Sequence, residues 1–165
     1  MPRVYVSIGS NVDRDFRIRE SVTALRNIFG ELELSPVYNS AAVGFDGSDF
    51  LNLVVAFDSD LPVETVAEHF RRIEDDLGRD RNLPKFASRP IDLDILLYDD
   101  LVLEVPGIRV PRSEISEHAF VLKPLQDIAP DLRHPQTGQS YAEMWRLMEP
   151  NAPRLDLYPL RLADT

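Results

Sequence analysis

No cysteine occurs among the 165 residues. That removes disulfides, thiolate metal sites and cysteine nucleophiles together, and it suits a reducing compartment. Long apolar runs are missing too: nothing approaches the ~18 residues a membrane span needs. The opening "MPRVYVSIGSN" lacks the apolar core of a signal peptide. A cytoplasmic protein with no membrane partner is expected. Histidine is scarce, with three copies at no metal-ligand spacing, and no GxGxxG, HExxH or P-loop pattern is present. Positive charge is short overall, 18 lysines and arginines against 28 acids for a net charge of −10, which repels nucleic acid and argues against it as a partner.

What remains is enough for a core. The chain is 44% hydrophobic, its length suits one domain over 1–165, and a monomer is expected. The scarce positive charge is also concentrated. Arg71, Arg72, Arg79, Arg81, Lys85 and Arg89 are six of the 18 cationic residues and fall within one short stretch. Such a patch on an acidic protein suits a small, multiply charged anion; the plain alternative is a solvated loop balancing nearby acids.

Local patterning predicts the elements. "RVYVSI" (3–8) is β-branched and aromatic and predicts a strand stopped by a turn at "GSN" (9–11). Ile18, Val22, Leu25 and Phe29 recur at helical spacing, predicting a helix over 13–29 that ends at Gly30. Residues 31–38 alternate acid and apolar as a strand with Pro36 at an edge or bulge, 39–49 read as a loop, and "FLNLVVAFDSD" as a strong strand. Pro62 opens a second helix whose buried stripe runs from Val63 to Leu77, with Gly78 as its stop. Residues 79–91 are charged and proline-containing, a mobile surface loop. A strand at "DLDILLYD", one or two short strands around Pro106-Gly107, two short helices closed by Pro130, a helical piece over 142–148 and an irregular tail complete the chain. The order β-α-β-β-α-β is the split βαβ arrangement, an α+β domain with an antiparallel sheet and helices on one side.

The stretch "RPIDLDILLYDD" (89–100) carries the chemistry. Asp92 and Asp94 lie one residue apart in a strand and share a face, roughly 6.5–7 Å from each other, while Leu93, Ile95 and Leu97 turn to the core. Two carboxylates so placed can converge on hard cations, and magnesium favours oxygen ligands completed by water and phosphate. The plain alternative is an exposed strand face of solvated aspartates, yet aspartate is a poor strand former. With arginines just upstream, metal plus guanidinium is the usual apparatus of phosphoryl transfer. In "FLN" (50–52), Phe50 and Asn52 share a strand face; an aromatic plate beside a carboxamide could bind a flat heterocycle, or be a core ring beside a hydrogen-bonded amide. Gly9 could permit close backbone approach to a ligand, or be a plain turn.

"YVSIGSN", "FLN", "IE…LGR" (73–79), "RPIDLDILLYDD" and "HAFVLKPLQDIAP" (118–130) occur in an order and spacing that closely resembles the 6-hydroxymethyl-7,8-dihydropterin pyrophosphokinase (HPPK) family of folate biosynthesis, over about residues 3–130. The resemblance implies a ferredoxin-like α/β/α sandwich with a mostly antiparallel sheet. It implies ATP and two magnesium ions, with transfer of a pyrophosphoryl group to the pterin hydroxymethyl oxygen and release of AMP. Asp92 and Asp94 match the metal ligands and Arg89 the arginine beside them. Arg79 and Arg81 match basic residues of a catalytic loop that closes over ATP, and Phe86 an aromatic that closes with it. Phe50 and Phe120 match the rings that sandwich the pterin, Asn52 the asparagine bonded to it, and backbone over Ser40 to Val43 would read its remaining edge. Glu74 and Ile95 fall near the nucleotide.

Some matching positions differ. Arg112 and Ser113 stand where the family usually has a histidine and a further nucleotide contact, and His118 where it usually has an arginine; "SAAVG" (40–44) lacks the family's prolines. The exchange keeps one guanidinium and one imidazole, so activity could survive if both reach the same phosphates. Their directions would differ, however, and an arginine fork does not simply replace an imidazole. The second reading is a divergent pterin- or nucleotide-binding regulator on the same scaffold.

Overall fold

The computed structural model describes residues 1–41, 48–78 and 90–162. The first strand, β1 (Arg3–Ser10), is followed by helix α1 (Arg14–Phe29) and by two short strands, β2 (Glu33–Leu34) and β3 (Val37–Ser40). Then come β4 (Phe50–Asp58), α2 (Val63–Asp76) and β5 (Asp92–Tyr98). A hairpin, β6 (Leu103–Val105) and β7 (Ile108–Val110), leads into α3 (Glu114–Glu117), α4 (Ala119–Ile128), α5 (Tyr141–Met148), a 3-10 turn (Glu149–Asn151) and β8 (Asp156–Tyr158).

The main sheet runs β5-β1-β4-β3-β8, with β2 also on β4, and its recorded pairings are antiparallel. Taking β2 and β3 as one interrupted strand, the first four strands order as 4-1-3-2, the split βαβ expected. Helices cover both faces, not one. On the first face, Ile18, Val22 and Leu25 of α1 and Val66, Phe70 and Ile73 of α2 pack on Val4, Val6, Ile8 and Val55. On the other, Val121, Leu122 and Leu125 of α4 and Tyr141 and Met144 of α5 pack on Tyr5, Val54, Ala56 and Leu96. The one-sided expectation counted only the helices of the βαββαβ repeat. Inner strands whose every side chain is apolar, such as Leu53 to Phe57, need cover on both sides.

Four further expectations are corrected. The turn placed at Gly9–Asn11 is strand as far as Ser10, because Gly9 and Ser10 pair with Asn52 and Leu51. The single strand over 31–38 is broken at Ser35-Pro36. Proline cannot donate to the ladder, and the register on β4 slips by one residue between Leu34↔Val55 and Tyr38↔Asn52. The Ser35 hydroxyl repairs the gap by accepting the Val54 N–H at 2.8 Å. Leu97 does not share the face of Leu93 and Ile95. A bulge at Leu96, between the pairs Val6↔Ile95 and Tyr5↔Leu97, turns Leu97 to the second core. Finally, the irregular tail contains β8, which extends the sheet beyond β3, and the Tyr158 hydroxyl donates to Asp15 at 2.9 Å.

Candidate active site

Gly9 lies between Asn52 on β4 and Asp92 on β5, and Ser7 lies between Val54 and Asp94. Side chains alternate along strands, so Phe50, Asn52, Ser7, Gly9, Asp92 and Asp94 all face the α4 side of the sheet. Helix α4 packs on Val54 and Ala56 farther along that face, and Phe120 in its first turn borders the part left open. The uncovered part is the floor of a cavity of about 910 Å³ lined by them and by Ser40, Glu74, Arg112, Glu114, His118 and Phe120. Two strand spacings, about 10 Å, separate the Asn52 strand position from that of Asp92.

At one end, Asn52 and Ser40 are buried, and the Asn52 amide nitrogen donates to the Ser40 hydroxyl at 2.8 Å. The Asn52 Oδ1 lies over Gly9; a Cβ there would sit 3.0 Å from it. Glycine leaves the backbone between amide and acids bare, which is what a flat ligand lying on the sheet requires. Phe50 and Phe120 are half-buried and both line the cavity. The His118 ring stacks on Phe120 with centroids 4.7 Å apart and 15° between planes.

At the other end stand the acids. The Asp94 side chain keeps 35% of its surface open, so a cation can reach it. Loss of bulk water in the cavity, then the charge of Asp92, push the Asp94 carboxyl up to about 7, against the opposing pull of Arg112; Glu74 and Glu114 add to the rise. A carboxyl whose ionisation is opposed by a neighbouring carboxylate fits a site for a divalent cation with oxygen ligands. Among the described residues no cluster of three or more histidines, cysteines or acids converges. Two protein carboxylates with the remaining positions left to water and phosphate is the pattern magnesium favours.

Arg112 and His118 line one cavity, and their surroundings there differ. The Arg112 guanidinium lies 3.5 Å from Asp94 and donates through Nε to Glu114 at 2.8 Å, whereas His118 backs the Phe120 ring. Glu114 was not foreseen. Its signal was an acid two residues after an arginine at a helix start, too common a pattern to stand out. Glu74 is buried and accepts the Leu93 N–H at 2.8 Å, bracing the edge of β5 that β1 does not pair. The Ile95 side chain is packed in the first core. By the two-residue period its backbone N–H and C=O point to the same outer edge as those of Leu93, and only there can Ile95 meet a ligand. Val43, Arg79, Arg81, Phe86 and Arg89, with most of the expected closing loop, lie outside the described residues.

Comparison with known proteins agrees with this geometry. Residues 5–130 match the family model for 7,8-dihydro-6-hydroxymethylpterin-pyrophosphokinase (HPPK). Over 140 residues the chain is 39% identical to the 2-amino-4-hydroxy-6-hydroxymethyldihydropteridine pyrophosphokinase of Pseudomonas aeruginosa, spanning 81% of this chain and 84% of that one. It is 34% identical over 137 residues to the protein of the same name from Aquifex aeolicus, spanning 82% of this chain and 85% of that one. The fold superposes, with a TM-score of 0.72 over 90% of this chain, on Plasmodium falciparum HPPK-DHPS crystallised with pterin and p-hydroxybenzoate. Identity there is 12% and this chain spans 44% of that one, so the likeness is one of fold alone. Site geometry, family model and relatives agree, and this chain belongs to the 7,8-dihydro-6-hydroxymethylpterin-pyrophosphokinase family.

Proposed function

We propose that this chain transfers a pyrophosphoryl group from ATP to 6-hydroxymethyl-7,8-dihydropterin, releasing AMP and the pterin diphosphate for folate biosynthesis. One observation carries it: a heterocycle-sized platform, Phe50 and Asn52 with Gly9 beneath, shares a sheet face with the Asp92–Asp94 pair. The hydroxymethyl oxygen attacks the β-phosphorus of ATP. The bond from that phosphorus to the α,β-bridging oxygen breaks, and AMP departs with the electron pair while the hydroxyl proton passes to water.

Phe50 and Phe120 hold the pterin ring by stacking and shed water from it. Asn52, braced by Ser40, fixes its orientation, and backbone from Ser40 to Val43 is proposed, from the sequence resemblance, to read the edge beyond. Asp92 and Asp94 would hold two magnesium ions, which when bound supply charge neutralisation across the three phosphates. Arg112, 3.5 Å from Asp94, would reach the same phosphates. Arg79, Arg81 and Arg89 are proposed, from the sequence resemblance, to add positive charge there, with Phe86 closing over the substrates. Positioning and electrostatics are proposed to carry most of the rate. A cytoplasmic monomer is the proposed state; no helix of the described residues is long and apolar enough to cross a membrane.

The test is a product assay with ATP, magnesium and the hydroxymethyl pterin. AMP should appear only when the pterin is present, and Asp92→Asn should abolish it. ADP in place of AMP would reject pyrophosphoryl transfer.

A further inference from the structure

We propose that Arg112 is the resident counter-ion of Asp94 in the nucleotide-free enzyme, so that divalent metal binds weakly alone and enters the site together with nucleotide. The inference rests on Asp92 and Asp94 being the metal ligands, as argued above, and it concerns a position at which this chain carries its own residue.

Arg112 is fixed at both its backbone and its side chain. Its backbone N–H donates to the Leu96 carbonyl at 3.0 Å, which ties Arg112 to β5 immediately after the acids. Its Nε donates to Glu114 Oε2 at 2.8 Å, and the other oxygen of that carboxylate accepts the Ser113 hydroxyl at 2.9 Å. So held, Nη2 stands 3.5 Å from Asp94 Oδ1. The Arg112 side chain is 31% exposed, shielded enough that water does not erase its field.

The physical consequence is competition. An arginine stays protonated and cannot vacate the site by losing its charge, as an imidazole could. A divalent ion binding Asp94 meets a full positive charge a few ångströms away, and two like charges at that range repel strongly in a partly dry cavity. A triphosphate removes the penalty. Its negative charge gives both the metal and the guanidinium a shared partner, so the three bind better together than apart. Linkage then requires that metal raise nucleotide affinity by the factor by which nucleotide raises metal affinity.

The experiment measures Mn2+ binding to the full chain by electron paramagnetic resonance, without nucleotide and with a non-hydrolysable ATP analogue. Circular dichroism establishes that each variant is folded. Without nucleotide, at a pH high enough that Asp94 is ionised in both proteins, Arg112→Gln should bind Mn2+ about tenfold or more tightly than wild type, from the loss of one nearby charge. Arg112→Lys, which keeps the charge, should stay within about threefold of wild type. The gain in Mn2+ affinity that the analogue confers should be larger for wild type than for Arg112→Gln. Equal Mn2+ affinity of wild type and Arg112→Gln, in an enzyme that still forms AMP, overturns the counter-ion role alone. Equal tightening by the Gln and Lys variants overturns it as well, since packing rather than charge would then be at work. If wild type forms no AMP and Asp94→Asn leaves Mn2+ binding untouched, the metal-ligand reading fails and takes this proposal with it.

Discussion

Asn52 donates its amide hydrogen to the hydroxyl of Ser40, two neighbouring strands holding one side chain in one orientation. With Nδ2 committed to Ser40, the carbonyl end of the amide faces the cavity over Gly9. Ser40 thereby decides whether the ligand meets an acceptor or a donor. Ser40→Ala frees the amide to rotate and leaves a buried donor unsatisfied, a loss of about 1–2 kcal/mol. The expected result is a KM for the pterin raised roughly 5- to 30-fold with kcat within about threefold, the split expected when binding is lost before chemistry. A fall in kcat alone would contradict it.

Gly9 tests the platform itself. A methyl group there would meet the Asn52 carbonyl oxygen at 3.0 Å, while the strand backbone needs no special conformation. Gly9→Ala should fold, with a midpoint of thermal unfolding within a few degrees of wild type. Calorimetry should show pterin affinity lower by about tenfold or more and ATP affinity nearly unchanged, because the methyl stands where the heterocycle lies.

Asp94 makes metal binding dependent on pH. Its carboxyl is raised to about 7, and a metal ligand must be deprotonated. Below that value metal must displace a proton, so metal affinity of the free enzyme should fall up to tenfold per pH unit; above it affinity should level off. Titration calorimetry in buffers of different ionisation enthalpy should show release approaching one proton below pH 7 and little above pH 8. The same shift opposes folding as pH rises: the raised carboxyl costs nothing below the ordinary aspartate value of 3.8 and most above 7. Asp94→Asn should therefore unfold at a higher temperature than wild type at pH 8 and not at pH 4, while forming no AMP.

His134 should make the opposite half of the pH profile. It is buried, its Nδ1 accepts the backbone N–H groups of Gln136 at 3.1 Å and Thr137 at 3.3 Å, and burial holds its pKa below the ordinary 6.5. A depressed pKa means that the unfolded chain takes up protons first. The stability it contributes is complete above 6.5 and is lost as pH falls through the folded value. His134→Asn keeps an acceptor for those N–H groups without titrating, so its unfolding temperature should change less between pH 7 and pH 5 than that of wild type.

Long periodic elements announced themselves: Ile18, Val22 and Leu25 fix α1, and Val66, Phe70 and Ile73 fix α2, because a helix stripe recurs over several turns. The pairing of Asp92 with Asp94 was legible for the same reason, since a strand imposes its two-residue period on any side chain. What escaped was set by contacts distant in sequence. β8 is three residues with Leu157 70% exposed, and it is a strand only because β3 offers an edge. The contact between Arg112 and Asp94 depends on how the chain re-enters after the β6–β7 hairpin, which no local pattern encodes. Gly9 does not declare its role locally, because a glycine followed by serine and asparagine also spells a turn.

The extra residue at Leu96 divides β5 into two halves with different duties. Upstream of it the strand shows its acids to the cavity; downstream, Leu96 and Leu97 both plug the core beneath α4 and α5. An uninterrupted strand would have to choose between a wet face and a dry one along its whole length. The kink lets one short segment anchor the second layer of the sandwich and arm the pocket at once. Excising Leu96 would therefore be felt first as a loosened helix layer, with the acids keeping their alignment against Ser7 and Gly9.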